Sequence, residues 1–209
     1  MNETKRIVYI VDDDPSIRSY FRNLLESFNY ITILSKSAEE FLSLLRRENC
    51  PECLILDAWL PGMSGLDLQK FIADNNLLSL PIIFISGDGD IPMSVQAMKS
   101  GAVDFLTKPI RARDLLSAVE AAFLKNQISH DRAAIKSGIL TRLQSLSPRE
   151  NDVFALVITG KLNKQIGCDL GIAEKTVKVH RGRIMHKMNA QSLAELVRFA
   201  IASGLYPLL

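Results

Sequence analysis

Short apolar runs alternate with helical hydrophobic spacing over the first 125 residues of the chain. Each run is bounded by prolines, glycines or polar residues, which is typical of short strands buried on both faces of a sheet. Between the runs, apolar residues recur three and four positions apart, as they do on one face of an amphipathic helix. Strands are therefore predicted at residues 7–11, 30–34, 53–57, 81–85 and 102–106.

Helices are predicted between these strands and after the last one. Strands that alternate regularly with helices are joined by crossover connections and therefore pair in parallel. The pattern predicts an α/β fold, a doubly wound five-stranded parallel sheet with helices on its faces. The predicted helices cover residues 15–28, 38–46, 66–73 and 92–99, and a fifth begins at residue 111.

The fifth helix is predicted to continue beyond the sheet. Residues 111–137 contain neither proline nor glycine and are rich in good helix formers, whereas a flexible linker would be rich in glycine, serine or proline. Gly138 is the predicted end of this helix. At about 1.5 Å per residue the helix would be a rod of roughly 40 Å.

The last third of the chain is predicted to be a small all-α domain. Ser147, Pro148 and Glu150 have the spacing of a helix cap, a first-turn proline and a capping box. Further helices are predicted at 163–170, from 173 or 174 to 188, and at 192–202, with Gly171 in the turn between the first two of these. A short helix, a glycine turn and a basic helix form the helix-turn-helix pattern.

Charge supports this division into two parts. Residues 1–125 contain 13 Lys and Arg against 17 Asp and Glu, whereas residues 126–209 contain 12 against 6. The basic second part suggests a polyanionic partner, although an ordinary solvated surface would have the same composition. No apolar run approaches the roughly 20 residues that span a bilayer, and the N-terminus lacks the apolar core of a signal peptide. A cytoplasmic protein without a membrane partner is expected.

The cysteines do not predict a metal or redox site. Cys50 and Cys53 form a CxxC pair, but no second pair is present to complete a zinc site. The pair also runs into a buried strand instead of opening a helix, as a redox motif would. Three cysteines fit a reducing compartment, and we expect them to be structural.

Polar residues close four of the five predicted strands. Asp12 and Asp13 follow the first, Asp57 ends the third, and Ser86 and Lys108 follow the fourth and fifth. The carboxyl ends of parallel strands share one edge of the sheet, where ligands bind in open α/β folds. Three carboxylates there are tolerable mainly if a cation shares the site, and oxygen ligands favour Mg²⁺. The alternative is a scattered set of turn and capping residues.

Residues 5–125 resemble the receiver domains of two-component response regulators, a flavodoxin-like fold. The resemblance implies that Asp57 accepts a phosphoryl group, and that Asp13, Asp57 and the backbone carbonyl of Trp59 bind Mg²⁺, with Asp12 acting through water. It also implies a phosphate-binding Lys108 followed by a cis Lys108–Pro109 bond, the hydroxyl of Ser86 and an aromatic switch at Phe105. The bulky Trp59 would either screen the site from water or pack outward.

Residues 144–203 resemble the LuxR/NarL-type helix-turn-helix. The matching segments are Leu-Ser-Pro-Arg-Glu, Gly-Lys-Leu-Asn-Lys-Gln-Ile, Lys-Thr-Val-Lys-Val-His-Arg and Ala-Glu-Leu-Val-Arg. The resemblance implies that Lys178 and Val179 reach bases and that Lys164, Thr176 and Arg181 hold phosphates, with Lys175 on the same basic helix.

Two glycines depart from the helix-turn-helix pattern, and one histidine needs an interpretation. Gly167 replaces an alanine of the scaffolding helix, which predicts a modest loss of helix propensity. Gly182 replaces a base-reading side chain of some relatives. His180 is interpreted as a packed or phosphate-contacting residue, since no carboxylate or cysteine accompanies it as a metal ligand.

Together the two parts resemble a response regulator of the NarL/FixJ group. Its domains would be a receiver at 1–125, a helical linker at 126–142 and a DNA-binding domain at 143–209. The resemblance implies a histidine kinase, double-stranded DNA and, after phosphorylation, a second copy of the chain as partners.

Two other functions remain open on the sequence. A Mg²⁺-dependent aspartyl phosphatase of the haloacid dehalogenase type would need an Asp where Trp59 stands, and it would leave the second domain unused. A constitutive DNA-binding module with an unresponsive receiver is the other alternative.

Overall fold

The computed structural model describes residues 6–45, 52–75, 80–87 and 91–206. The chain divides into two compact units, residues 1–129 and 130–209. The predicted helix end at Arg46 and the CxxC residue Cys50 lie outside the described residues. Among the residues described, no helix is both long and apolar enough to cross a membrane.

The first unit contains the predicted parallel sheet. Its strands lie in the order β2-β1-β3-β4-β5, and every neighbouring pair is parallel. Their apolar side chains face both ways, so β3 and β4 are buried along their whole length. The strands are β1 (Ile7–Val11), β2 (Ile31–Ser35), β3 (Cys53–Asp57), β4 (Ile82–Ser86) and β5 (Asp104–Thr107).

Helices cover both faces of the sheet, which confirms the doubly wound fold. Phe41, Leu68 and Ala97 come from three of these helices and pack on one face. Phe21 and Leu115, from the other two, pack on the opposite face. The helices are α1 (Pro15–Glu26), α2 (Ala38–Leu45), α3 (Gly65–Asp74), α4 (Ile91–Lys99) and α5 (Ala112–Gln144).

The predicted end of the fifth helix at Gly138 is wrong. Helix α5 continues through Gly138 to Gln144. Ile139 and Leu143, just beyond the glycine, are buried in the core of the second unit. Their burial favours the helix more strongly than one glycine disfavours it, since a helical glycine lowers stability by only about 1 kcal/mol.

The second unit is all-α, as predicted. Val177, Ile184 and Met188 of its longest complete helix are fully buried, and Gly171 has the left-handed φ of 63° that the turn before this helix requires. The capping box is also confirmed, because the Ser147 hydroxyl accepts from the Glu150 amide while the Glu150 carboxylate accepts from the Ser147 amide. The helices are α6 (Pro148–Val157), α7 (Asn163–Leu170), α8 (Glu174–Met188) and α9 (Leu193–Ser203).

Candidate functional site

The carboxyl edge of the sheet brings two aspartates and a lysine together. The register aligns Val11 with Leu56, so Asp12 follows β1 beside the end of β3, where Asp57 lies. Lys108, which follows β5, extends back over the sheet. Its Nζ lies 2.6 Å from Asp57 Oδ2 and 3.0 Å from Asp12 Oδ2. Asp12 and Asp57 are buried, and Lys108 neutralises part of their charge.

Asp13 completes an acidic group. Each of Asp12, Asp13 and Asp57 offers a carboxylate oxygen, and these three oxygens lie within 4.8 Å of one another. Asp13 is exposed, whereas the other two are buried. Three clustered oxygen donors suit a hard divalent cation. We call Asp12, Asp13, Asp57 and Lys108 the acidic edge.

Burial and pairing change the acidity of these groups. Burial raises the pKa of Asp12 to about 6, although hydrogen bonds from Lys108 and the Asp14 amide oppose this rise. Burial acts to lower the pKa of Lys108, but hydrogen bonds to Asp57 and Asp12 outweigh it and leave that pKa raised. Lys108 therefore remains a cation at neutral pH and can hold an anionic oxygen.

Two further residues support the acidic edge, and the sequence pattern did not identify them. A guanidinium nitrogen of Arg18 donates to the Asp12 carbonyl over 2.6 Å. Gly65, the first residue of α3, lies so close to β3 that an added Cβ would be 2.3 Å from the Asp57 carbonyl oxygen. The contact of Arg18 could have been suspected from the sequence, because Arg18 follows Asp14, the cap of α1, by one helical turn.

Ser86 lies on β4, the strand beside Asp57, and Phe105 lies on β5, one strand further out. Ser86 is the last residue of β4 and is fully buried. Phe105, on β5, is partly buried and stacks on Phe84 with 6.2 Å between ring centroids. The Lys108–Pro109 peptide bond is cis, as the resemblance implied.

Trp59 contributes its backbone to the acidic edge, while its side chain points outward. The Trp59 amide donates to Asp57 Oδ1 over 2.9 Å. The residue is 55% exposed. Of the two alternatives for its side chain, the structure favours outward packing over screening of the site.

Helix α8 presents basic residues opposite its buried face. Lys175, Lys178, Val179 and Gly182 fall on the side away from Val177, and all four are exposed. We call these four residues the outer face of α8. Thr176 on α8 and Lys164 on α7 are exposed as well. An exposed basic helix that follows a glycine turn has the form of a helix that enters the major groove of DNA.

Arg181 and His180 lie nearer the core of the second unit. Arg181 is half-buried, and a guanidinium nitrogen donates to Asn163 Oδ1, at the start of α7, over 2.8 Å. His180 is also half-buried, and its buried Nδ1 has no hydrogen-bond partner among the residues described. The position of His180 agrees with a packed histidine.

Position 167 is occupied by glycine for a steric reason that sequence reasoning missed. Gly167 is buried, and an added Cβ would lie 2.7 Å from the carbonyl oxygen of Ile172. The Gly167 carbonyl accepts the Ile172 amide in the turn before α8. The predicted loss of helix propensity is therefore secondary, since an alanine would not fit this turn without movement.

Comparison with known proteins identifies the family of each part of the chain. The response regulator receiver domain matches residues 8–120, and the luxR family of bacterial regulatory proteins matches residues 144–200. Nodulation protein W from Bradyrhizobium diazoefficiens is 46% identical over 202 residues, which are 97% of this chain and 88% of that protein.

Solved structures extend this similarity to the whole chain. The response regulator StyR is 43% identical, with a TM-score of 0.79 over 95% of this chain and 99% of StyR. Full-length FixJ from B. japonicum is 37% identical, with a TM-score of 0.59 over 97% of this chain and 98% of FixJ. The chain thus belongs to the NarL/FixJ group of two-component response regulators, transcriptional regulators in which a receiver domain precedes a LuxR-type DNA-binding domain.

Proposed function

We propose that Asp57 accepts a phosphoryl group from the phosphohistidine of a partner histidine kinase, and that this modification controls DNA binding. The observation that carries the proposal is the contact of the Asp57 carboxylate with Lys108 at 2.6 Å, at the buried end of a parallel strand. One Asp57 oxygen attacks phosphorus as the bond to the histidine nitrogen breaks. Lys108 then balances charge on the phosphoryl oxygens.

Mg²⁺ is the proposed cofactor of this reaction. Asp13, Asp57 and the carbonyl of Trp59 would hold the ion directly, with Asp12 acting through water. The donor set supports this assignment, because three carboxylate oxygens converge beside a single lysine. When bound, the ion supplies positive charge that offsets the negative charge of the transferring phosphoryl group.

Ser86 and Phe105 are proposed to transmit the modification. The Ser86 hydroxyl moves toward the phosphoryl group, and Phe105 repacks in the space that this movement opens. Phe105 packs against the same core as α4, so its movement changes the surface formed by α4 and β5. That surface then pairs with a second copy of the chain, and the homodimer binds two half-sites more tightly than one domain binds one.

The second unit is proposed to read DNA with α8. Lys178 and Val179 contact base edges, while Lys164, Thr176 and Arg181 contact phosphates, with Lys175 beside them on the outer face of α8. The proposed domains are 1–125 and 143–209, joined by the helical segment 126–142. Because its DNA target lies in the bacterial cytoplasm, the protein is proposed to act there.

Intact mass after incubation with acetyl phosphate and Mg²⁺ tests the proposal. We expect one phosphoryl adduct on the wild type, and none on Asp57→Asn or in EDTA. Phosphorylation should then increase both the dimer fraction and the affinity for operator DNA.

Other outcomes separate the alternatives. Steady release of inorganic phosphate without an adduct, together with no beryllofluoride complex, would support an aspartyl phosphatase. If there is neither an adduct nor turnover, and beryllofluoride does not bind, the receiver is unresponsive and the second unit acts alone.

A further inference from the structure

Helix α4 is attached to its unit unevenly along its length. Ala97, near its C-terminal end, is fully buried, whereas Ile91 at its first position is 74% exposed. Val95 and Met98 are each 45% exposed on its outward side. The C-terminal end of α4 is therefore the end that is anchored in the core.

A buried glutamine reinforces this anchor. Gln69 lies on α3 and is only 4% exposed. Its Nε2 donates to the carbonyl oxygens of Ala97 at 3.2 Å and Ser100 at 3.3 Å. The Ala97 carbonyl also accepts from the Ala102 amide at 3.1 Å, and the donor from α3 adds bonds between helices that fix the position of this end.

A lysine from a third helix acts on the same end. The Nζ of Lys125, on α5, donates to the carbonyl oxygen of Gly101 over 2.8 Å. A cation at the C-terminus of a helix is also favoured by the helix dipole. Gln69 and Lys125 together connect α3 and α5 to the end of α4, and we call this pair the α4 clamp.

The N-terminal half of α4 lies outside the α4 clamp and packs on the same core as Phe105. Met93 and Phe105 both pack as partly buried residues against the core that contains Ala97. A change in the packing of Phe105 can therefore reach Met93, while the α4 clamp holds the other end.

We propose that the α4 clamp makes the C-terminal end of α4 a fixed pivot, so that phosphorylation repositions the N-terminal half of the helix alone. Gln69 is then a positioning residue of the switch. Without it both ends of α4 move, and the helix has to be ordered again when the dimer forms. This inference rests on the proposed phosphorylation of Asp57.

Hydrogen–deuterium exchange of the full chain, with and without beryllofluoride and Mg²⁺, tests the pivot. In the wild type the ligand should change exchange at residues 91–95 and leave residues 97–102 unchanged. Gln69→Met keeps the side-chain length and removes the donor. Residues 97–102 of this variant should exchange about tenfold faster without ligand, and its ligand-driven dimerisation should weaken about tenfold.

Two further variants make the test specific. Gln69→Leu also removes the donor, with a branched side chain of similar volume, and it should reproduce the local effect if Gln69→Met folds poorly. Gln96→Met removes an exposed amide that lines the same cleft between α3 and α4, and it should behave as the wild type.

The inference is overturned if beryllofluoride changes exchange at both ends of wild-type α4. It is also overturned if the Gln69 variants exchange like the wild type, or if they exchange faster throughout the receiver, as a merely structural residue would require. If the wild type forms no beryllofluoride complex at Asp57, the proposed function itself is contradicted. That result is obtained before any variant is made.

Discussion

The acidic edge and the outer face of α8 use charge in opposite ways. At the acidic edge, Asp12 and Asp57 are buried and share the cation of Lys108. On α8, Lys175 and Lys178 are exposed to solvent. Buried charges must be compensated within the fold, so one added phosphoryl group disturbs the surrounding structure. Exposed charges contribute little to folding and remain free for a polyanion.

The largest expected effect is a steric one at the acidic edge. In Gly65→Ala, the new Cβ would meet the Asp57 carbonyl oxygen at 2.3 Å and Ala58 Cα at 3.1 Å, and both are backbone atoms. We expect the free energy of unfolding of the receiver to fall by about 3 kcal/mol in urea titrations. Gly87→Ala is the matched control, because nothing lies within 4 Å of its added Cβ. Equal stability of the two variants would contradict the close contact.

The second-largest effect is expected from removal of the Lys108 ammonium group, which Asp12 and Asp57 share. Lys108→Met leaves two buried aspartates without their partner, and in EDTA it should lower the receiver's free energy of unfolding by about 2 kcal/mol. The lysine side chain is 23% exposed, which makes this loss smaller than for a fully buried pair. Mg²⁺ should restore part of the stability. Lys99→Met, at an exposed site of the same unit, should be neutral. A loss that Mg²⁺ leaves unchanged would contradict a role in charge balance.

On α8, loss of a charge should change binding without changing stability. Lys178→Ala should weaken operator binding about tenfold, because a lysine that contacts a base edge contributes to specificity. The free energy of unfolding should stay within about 0.5 kcal/mol of the wild type. Lys136→Ala removes the same charge from an exposed site on α5 and is the control for a general electrostatic effect. Similar weakening in both variants would exclude a base contact by Lys178.

Glu150 shows that a charge in the second unit also contributes to stability when it is buried and paired. Its carboxylate is buried in the second unit and accepts from Lys187 Nζ at 2.7 Å and from the Ser147 amide at 2.8 Å. The bond from Lys187, followed by that from Ser147, lowers the pKa of Glu150. Its contribution to stability is therefore present above the ordinary glutamate pKa of about 4.3 and is lost as the pH falls through the lowered value.

Glu150→Gln should make the stability of the second unit less dependent on pH. At pH 7 we expect the variant to lose about 1 kcal/mol, since the bond from Lys187 is charge-assisted. Below about pH 4 the difference from the wild type should shrink. Urea titrations at several pH values, followed by NMR signals of α6, measure both quantities. A difference that stays constant down to pH 3 would contradict the pairing.

The smallest expected effect is a gain in stability on α8. An added Cβ at Gly182 has nothing within 4 Å, so Gly182→Ala should raise the free energy of unfolding by about 0.5–1 kcal/mol. Gly167→Ala, on α7, should lower the free energy of unfolding because its Cβ would meet the Ile172 carbonyl oxygen. Thermal unfolding of both variants measures the difference. A loss of stability in Gly182→Ala would mean that this position is not open.

Local patterns were enough to predict much of the fold. Apolar runs and helical spacing predicted the five strands and the helices, with ends displaced by one or two residues in several elements. Hydrogen bonding across the sheet decides these ends, as for Ser86, which pairs with Thr107 and so belongs to β4. The end of α5 could not be predicted, because the burial of Ile139 and Leu143 depends on residues distant in sequence.

The composition of the acidic edge was predictable, but its internal contacts were not. Strand ends brought Asp12, Asp57 and Lys108 to one edge of the predicted sheet. The sharing of one lysine by both aspartates depends on strand order and side-chain direction, which apolar runs do not specify. The need for Gly65 depends likewise on how closely α3 approaches β3. Close contacts of this kind come from tertiary packing, whereas hydrophobic spacing reports only secondary structure.

The position of Trp59 gives the receiver an intrinsic optical signal. Trp59 is the single tryptophan of the chain, its amide is hydrogen-bonded to Asp57, and its indole is exposed to solvent. Indole fluorescence depends on nearby charge and on solvent contact. The emission of the unlabelled protein should therefore respond when a cation or a phosphoryl group reaches Asp57. A stopped-flow fluorimeter could then follow both events in real time, without an attached dye.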